Sequence, residues 1–284
     1  MPSTDAPSVA ALAALQLEHV RRYTFDDLDV LLEQHPGVAL EAVRAKFEER
    51  GRGGYCFEHV TLFADRLRQL GYRLEVRLGR VGPGAAQART HAVIVVELPG
   101  ELDGVAADRW LVDPGFGFSL TAPVPLVEGA IAHPGGWEYR VERVPLGVAH
   151  GWALWRRVEG DDAGWELAHT HDEVPVHPID LVAAHHYTST FPASRFRTVL
   201  MVARHYASGE LDAAEPAAHV TLTHGAVTIR RPGRATEHVE LTLADVADWL
   251  HRLAPQLTAD EHARVLEVAR GFRERDAGEG AARA

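Results

Sequence analysis

Cysteine is almost absent from this chain: Cys56 is the one thiol among 284 residues. A single cysteine excludes an internal disulfide framework and suits a reducing compartment. Long apolar runs are missing too, so no segment reads as a membrane span. The opening stretch MPSTDAPSVAALAALQ has no basic region of the kind that begins a secretion signal. Basic blocks and basic–aromatic interleaving are also lacking. With 40 acidic against 29 basic residues, the net charge of −11 argues against a nucleic-acid partner. A polyanionic ligand would have to be drawn in by local arginines against the field of the whole chain. The expectation is a cytoplasmic protein that binds neither membrane nor nucleic acid.

What remains is ordinary for a soluble globular protein, with 46% hydrophobic and 24% charged residues. The length suits one large core or two or three domains, and no repeat or long linker interrupts it. Histidine is plentiful but scattered. Pairs such as His169/His171 and His185/His186 offer zinc-compatible side chains at no diagnostic spacing, so no metal is expected.

Periodicity divides the chain in three. Residues 7–23 and 40–50 read as helices around a capping turn at 24–30, and a third amphipathic helix runs from about Tyr55 to Leu70, stopped by Gly71. After Gly71 the period shortens to two. Strands are expected at 72–78, 91–98 (ended by Pro99-Gly100), 109–113, 137–144, 152–158 and 165–169, with a loop at 81–88, forming a small barrel or curled sheet. Beyond Pro175 the pattern mixes. A short helix at 178–186, a β-compatible stretch at 196–204 and a hairpin across His224-Gly225 precede helices capped by Thr242 and Thr258. The tail from Ala277 is expected to fray. The fold class is therefore α+β, with parts at 1–71, 72–177 and 178–284.

The helix from Tyr55 follows Arg52-Gly53-Gly54, which puts Cys56 in its first turn on the inward stripe. Free N–H groups and the helix dipole favour a thiolate there. Position alone serves equally well for a small buried hydrophobe. A nucleophile needs a base, and the base needs an orienting group. His91 opens an apolar strand after Arg89-Thr90, and Asp113 closes another before Pro114-Gly115-Phe116-Gly117. Read singly, the first is a strand-start cap and the second a turn former.

Together the motifs are more specific. Arg52-Gly53-Gly54-Tyr55-Cys56-Phe57-Glu58, then Thr90-His91, then Trp110 to Gly117, then Leu120 to Leu126, then Asp180 to Phe196 resemble, in order, the signatures of the arylamine N-acetyltransferases. The resemblance implies a helical bundle and a β-barrel forming a cysteine-protease-like core, with a C-terminal α/β lid. It implies transfer of an acetyl or other short acyl group from acetyl-CoA, a co-substrate, to an arylamine, arylhydrazine or N-hydroxyarylamine through an acyl-cysteine. Cys56 would be the nucleophile, His91 the base and Asp113 its orienting partner. Gly115, Phe116, Gly117, Ser189, Thr190 and Ser194 become candidates for the cofactor cleft, and Phe116, Tyr187 and Phe191 for an apolar acceptor pocket. Arg52 and Glu58 are expected to pair across the helix start.

The chain departs from the family at Val60, His185 and His186, where asparagine, asparagine and tryptophan are usual, and at Thr24-Phe25-Asp26-Asp27 in place of Pro-Phe-Glu-Asn. These changes leave two rival readings: an amide synthase that takes a polyketide from a carrier protein, and a non-catalytic ligand-binding homologue.

Overall fold

The computed structural model describes residues 6–82, 88–146, 149–158 and 164–283. The chain begins with α1 (Val9–Arg22), capped by the Ser8 hydroxyl, which accepts from the Ala11 N–H at 3.2 Å. Next come β1 (Phe25–Asp26), α2 (Leu28–Leu31) and α3 (Leu40–Arg44). A wide turn over Ala45–Glu49, with Arg50 N–H bonding back to the Ala45 carbonyl, extends α3 and turns the Lys46 side chain into the interior. Then α4 (Cys56–Gln69) packs Val60, Phe63, Ala64 and Leu67 into the main core. Gly71 follows with φ +84°, a conformation that glycine adopts without penalty.

The barrel begins with β2 (Arg73–Val81), β3 (His91–Leu102), β4 (Val105–Val112) and β5 (Val124–Pro125). It continues with β6 (Ile131–Ala132), β7 (Tyr139–Leu146), β8 (Ala149–Val158) and β9 (Gly164–Asp172). Among the described residues these make one antiparallel sheet in the order β5-β4-β3-β2-β9-β8-β7-β6, and β5 curls against β7. Val93, Leu111, Val124, Val141, Trp152 and Leu154 fill its interior. On the other face of β3, Ala92, Ile94 and Val96 pack in the core shared with α4. A strand buried on both faces reads as a continuous apolar run, as 92–96 does. Most of the loop expected at 81–88 lies outside the described residues.

The C-terminal part opens with α5 (Pro178–Thr190) and α6 (Arg195–Thr198). It continues through β10 (Met201–Tyr206), β11 (Ala218–Thr223), β12 (Ala226–Arg230) and β13 (Glu237–Glu240), then α7 (Leu243–Leu253) and α8 (Ala259–Arg283). Its sheet runs β1-β10-β11-β12-β13, with α7 and α8 covering one side through a core of Val246, Leu250, Val265 and Ala269.

Four details differ from the sequence reading. The stretch 24–30 supplies β1, whose Phe25 pairs with Ala203, so a two-residue strand from the N-terminal part completes the C-terminal sheet. Two residues are too few to show a period. β3 runs past Pro99-Gly100 to Leu102, its ladder shifting register between Glu97 and Gly100, because a bulge absorbs the proline's missing N–H. The 196–204 stretch divides into α6 and β10. The tail from Ala277 continues α8 to Arg283, in keeping with its alanines.

Candidate active site

The Gly53-Gly54 strap runs beside β1: Asp26 N–H donates to the Gly54 carbonyl at 2.7 Å, and Gly54 N–H to the Thr24 carbonyl at 3.2 Å. A Cβ on Gly54 would lie 2.2 Å from Glu58 Oε2, so no larger residue fits while Glu58 reaches back to the Tyr55 N–H at 3.2 Å. This packing fixes the first turn of α4, and with it Cys56, which is buried with Sγ 3.5 Å from the Thr90 carbonyl oxygen. From the other side Gly115 presses in; a Cβ there would come within 2.7 Å of Cys56 Cα.

Two barrel strands deliver the remaining groups. His91 is the first residue of β3, opposite Gly79 of β2, and Asp113 follows the last residue of β4, whose Val112 pairs with Ile94. His91 Nε2 lies 2.9 Å from Asp113 Oδ2. That commitment of Nε2 leaves Nδ1 as the ring nitrogen available to Cys56. Burial works against a charge on His91, but the Asp113 carboxylate and the hydrogen bond with Cys56 outweigh it and hold the imidazole up at about 10. Burial likewise opposes ionisation of Asp113; His91 and His169 overcome it and keep the carboxyl well below its ordinary range.

Sequence reasoning had no role for His169 beyond a candidate zinc ligand, yet its Nε2 stands 3.1 Å from the same Asp113 oxygen. It is fully buried, and burial lowers its pKa, so it faces Asp113 as a neutral ring. A signal was present: His169 and His171 are two apart on a strand and therefore share a face. Among the described residues, the group compact enough to hold a metal ion is His91, Asp113 and His169. The combination His169, His171, His185 and His186 is not brought together. His171 lies 5.9 Å from His169, while His185 sits on α5 against His35 at 4.5 Å and bonds the Tyr55 hydroxyl.

Cys56 and His91 open into a cleft of about 560 Å³ between the barrel rim and α5–α6. Phe25, Phe116, Tyr187, Ser194 and Phe196 line it, as does Gly115. Phe116 stands edge-on to His91 at 5.3 Å. Three of the cofactor candidates are placed differently. Gly117 turns its open face to the Phe25 ring and accepts at its carbonyl from His219. The Ser189 and Thr190 hydroxyls donate to the His186 carbonyl within α5. Phe191 stacks on Tyr187 at 4.8 Å, near the surface.

Arg52 and Glu58 do not pair with each other. Arg52 donates to Asp29 at 2.8 Å and to Glu261 of α8 at 2.5 Å, whereas Glu58 accepts from Lys46 at 2.8 Å and lies 3.1 Å from His35. Lys46 also lies 3.4 Å from Asp29, so both belong to one buried network. Burial would raise the pKa of Glu58, but Lys46 brings it down to about 2. Val60 is wholly inside the core, so an asparagine there would have to be matched by new hydrogen bonds. Burial, then His35, pushes His185 down to about 4.

A family model described as N-acetyltransferase matches residues 8–254. The arylamine N-acetyltransferase of Mycolicibacterium smegmatis is 34% identical over 92% of each chain. The chain belongs to the arylamine N-acetyltransferase family. The Escherichia coli arylamine N-acetyltransferase is 32% identical, over 85% of this chain and 79% of its own. Among solved structures of the family, the Mycobacterium abscessus enzyme superposes with a TM-score of 0.80 at 32% identity, covering 95% of this chain and 90% of its own. The Mycobacterium marinum enzyme in complex with CoA gives 0.77 at 30% identity, covering 95% and 94%. Helices, barrel-like sheet and C-terminal layer are thus the fold that this family's solved members have.

Proposed function

We propose that this protein transfers an acetyl or other short acyl group from acyl-CoA to an arylamine, arylhydrazine or N-hydroxyarylamine by a ping-pong route through Cys56. The observation that carries the reading is a buried Cys56 at a helix start beside His91, whose far nitrogen is held by Asp113 at 2.9 Å. Its relatives' names supply the acceptor class, and the CoA complex of the M. marinum enzyme supports the donor.

Each half-reaction follows from the geometry. His91 Nδ1 takes the Cys56 proton, and Asp113 stabilises the imidazolium. The thiolate attacks the thioester carbonyl, with the Cys56 backbone N–H, unpartnered within the first turn of α4, as one donor to the oxyanion. Collapse forms the acyl-Cys56 bond and expels CoA as thiolate, which receives the proton from His91. The amine then attacks acyl-Cys56, passes its proton to His91 and leaves as the amide while the Cys56 thiolate re-forms. Phe116, Tyr187 and Phe196 give the aryl group an apolar wall. In the three-part reading, 1–71 carries the nucleophile, 72–177 the base and its partner, and 178–284 is the lid. Gly115, Phe116 and Ser194 are the cofactor-side residues this cleft favours; Gly117, Ser189 and Thr190 act on it through the segments they brace.

Among the described residues no helix is long and apolar enough to cross a membrane. A nucleophilic thiol keeps its reactivity in a reducing compartment, so the cytoplasm is the proposed location. The test is intact-protein mass after mixing with acetyl-CoA and no amine. An acetyl adduct confined to Cys56 and discharged by an arylamine is the expected outcome. No adduct with a freely alkylated Cys56 would overturn the CoA donor and leave a carrier-protein thioester.

A further inference from the structure

A pocket of about 260 Å³ lies between α1, the 121–122 segment and the end of β10, and it shares no lining residue with the Cys56 cleft. Trp137, His205 and Tyr206 are buried in its wall, and α1 contributes Leu17 and Arg21. Most of the remaining lining is alanine, so the surface is largely apolar. No acidic side chain is part of it.

Two polar groups interrupt that surface. His205 is 4% exposed, and its Nε2–H donates to the Ser119 carbonyl at 3.0 Å. A carbonyl can only accept, so the ring carries its proton on Nε2 and leaves a lone pair on Nδ1. Nδ1 has no hydrogen-bond partner among the described residues, yet it is not sealed in as His219 Nδ1 is. Burial, with Arg21, brings the His205 pKa down to about 4 against that hydrogen bond, so the ring is neutral. Arg21 is half-buried and makes no ion pair or hydrogen bond among the described residues. The lining thus offers a cation, an acceptor lone pair and aromatic faces. The complementary ligand carries an anion, a hydrogen-bond donor and a flat apolar body. Size narrows the class further. A cavity of about 150 Å³ takes a benzene ring, so about 260 Å³ suits one ring with small substituents and excludes a nucleotide.

We propose that this pocket binds a hydroxylated aromatic carboxylate, with its carboxylate on Arg21, its hydroxyl donating to His205 Nδ1 and its ring against Trp137. The guanidinium fork matches a carboxylate through paired charge-assisted hydrogen bonds, and Arg21 has its charge and its donors uncommitted. The site goes beyond the transferase reading and does not depend on it, because none of its residues touches Cys56, His91 or their cleft.

The test is calorimetric titration with 3- and 4-hydroxybenzoate, on the full chain and on the full chain with Cys56 alkylated by iodoacetamide. At least one isomer should bind, with the same Kd in both forms. Arg21→Gln should raise that Kd about tenfold, as expected for loss of a charge-assisted pair. Benzoate, which lacks the hydroxyl, should bind the wild type about fivefold more weakly, as for one neutral hydrogen bond. The His205 ring signals in NMR should move with the Kd that calorimetry gives. Failure of both isomers to bind overturns the site, as does an unchanged Kd in Arg21→Gln. Binding abolished by alkylation would move the ligand to the Cys56 cleft and overturn it too. Benzoate binding as tightly as the better isomer, with His205 signals unmoved, would remove His205 from the recognition and with it the hydroxylated class.

Discussion

On one side of the first turn of α4, Glu58 holds Lys46 at 2.8 Å; on the other, Cys56 faces His91, itself held by Asp113 at 2.9 Å. Both clusters are buried, and in both a neighbouring charge defeats the pull of burial toward neutrality: Lys46 brings Glu58 down to about 2, and Asp113 with Cys56 holds His91 up at about 10. The difference is what each cluster touches next. Glu58, Lys46 and Asp29 are closed in by Arg52 and Glu261 from the far end of the chain. Cys56 and His91 open onto a cleft of about 560 Å³. A buried ion pair with every neighbour engaged specifies structure; one with a vacant side toward solvent can exchange its proton with a substrate.

The sharpest way to break this comparison is Cys56→Ala. Turnover should fall by at least about 10⁴-fold, while stability changes by only about 1 kcal/mol, as for trimming a small buried group; steady-state kinetics and denaturant unfolding measure the two. Asp113→Asn should cost about 10³–10⁴-fold in kcat/KM, since the amide removes the charge that stabilises the imidazolium. The same change should bring the His91 titration down from about 10 toward the ordinary histidine range, read from its imidazole signals by NMR. A His91 titration unmoved by Asp113→Asn would detach Asp113 from the site.

Much of this site was legible before any coordinates, for physical reasons that differ by residue. Cys56 announced itself through glycine, helix periodicity and its solitude, all local signals. His91 and Asp113 sit at strand ends, where a two-residue period stops, so their places could be read even though their meeting could not. The Lys46–Glu58 pair was invisible: Lys46 looks like any surface lysine until the wide turn at Ala45–Glu49 rotates it inward. β1 was hidden because it is two residues long and its partner lies some 175 positions away at Val202–Ala203. The pairing expected between Arg52 and Glu58 failed for a related cause. Each found a partner of opposite charge on another element, and no local rule counts those.

Glu58→Gln tests the closed cluster. It keeps the shape and removes the charge, leaving Lys46 buried with a weakened set of partners, so unfolding free energy should drop by about 3–5 kcal/mol. The folded enzyme that remains should retain kcat within about tenfold, because Glu58 faces away from the cleft. The pH dependence follows from the same shift. The folded-state pKa of Glu58, about 2, lies below its ordinary 4.5. Its contribution, about 3 kcal/mol, is therefore complete above the ordinary value and is lost as pH falls from there through about 2. In Glu58→Gln the acid limb of the stability profile should flatten by about that amount.

The smallest effect belongs to the link between the two ends of the chain. Glu261 in the first turn of α8 accepts from Arg52 and from Gln34 at 2.9 Å, and also caps its own helix through the Thr258 N–H at 2.9 Å. Burial raises its pKa, yet Arg52 and the cap together outweigh it and bring it to about 2. Glu261→Gln keeps one carbonyl oxygen for Arg52 and the Thr258 N–H, turns an amide N–H toward Gln34 and loses the charge, so stability should fall by about 1 kcal/mol, with kcat/KM changed less than about threefold. The informative quantity is coupling to Glu58→Gln in a double-mutant cycle. The two carboxylates do not touch, but Arg52, Asp29 and Lys46 join them in one chain of ion pairs. A coupling energy of about 0.5 kcal/mol or more would mean that α8 and α4 share one electrostatic unit. Strict additivity would divide the network at Asp29 and leave the Cys56 turn supported through Glu58 by Lys46 and His35.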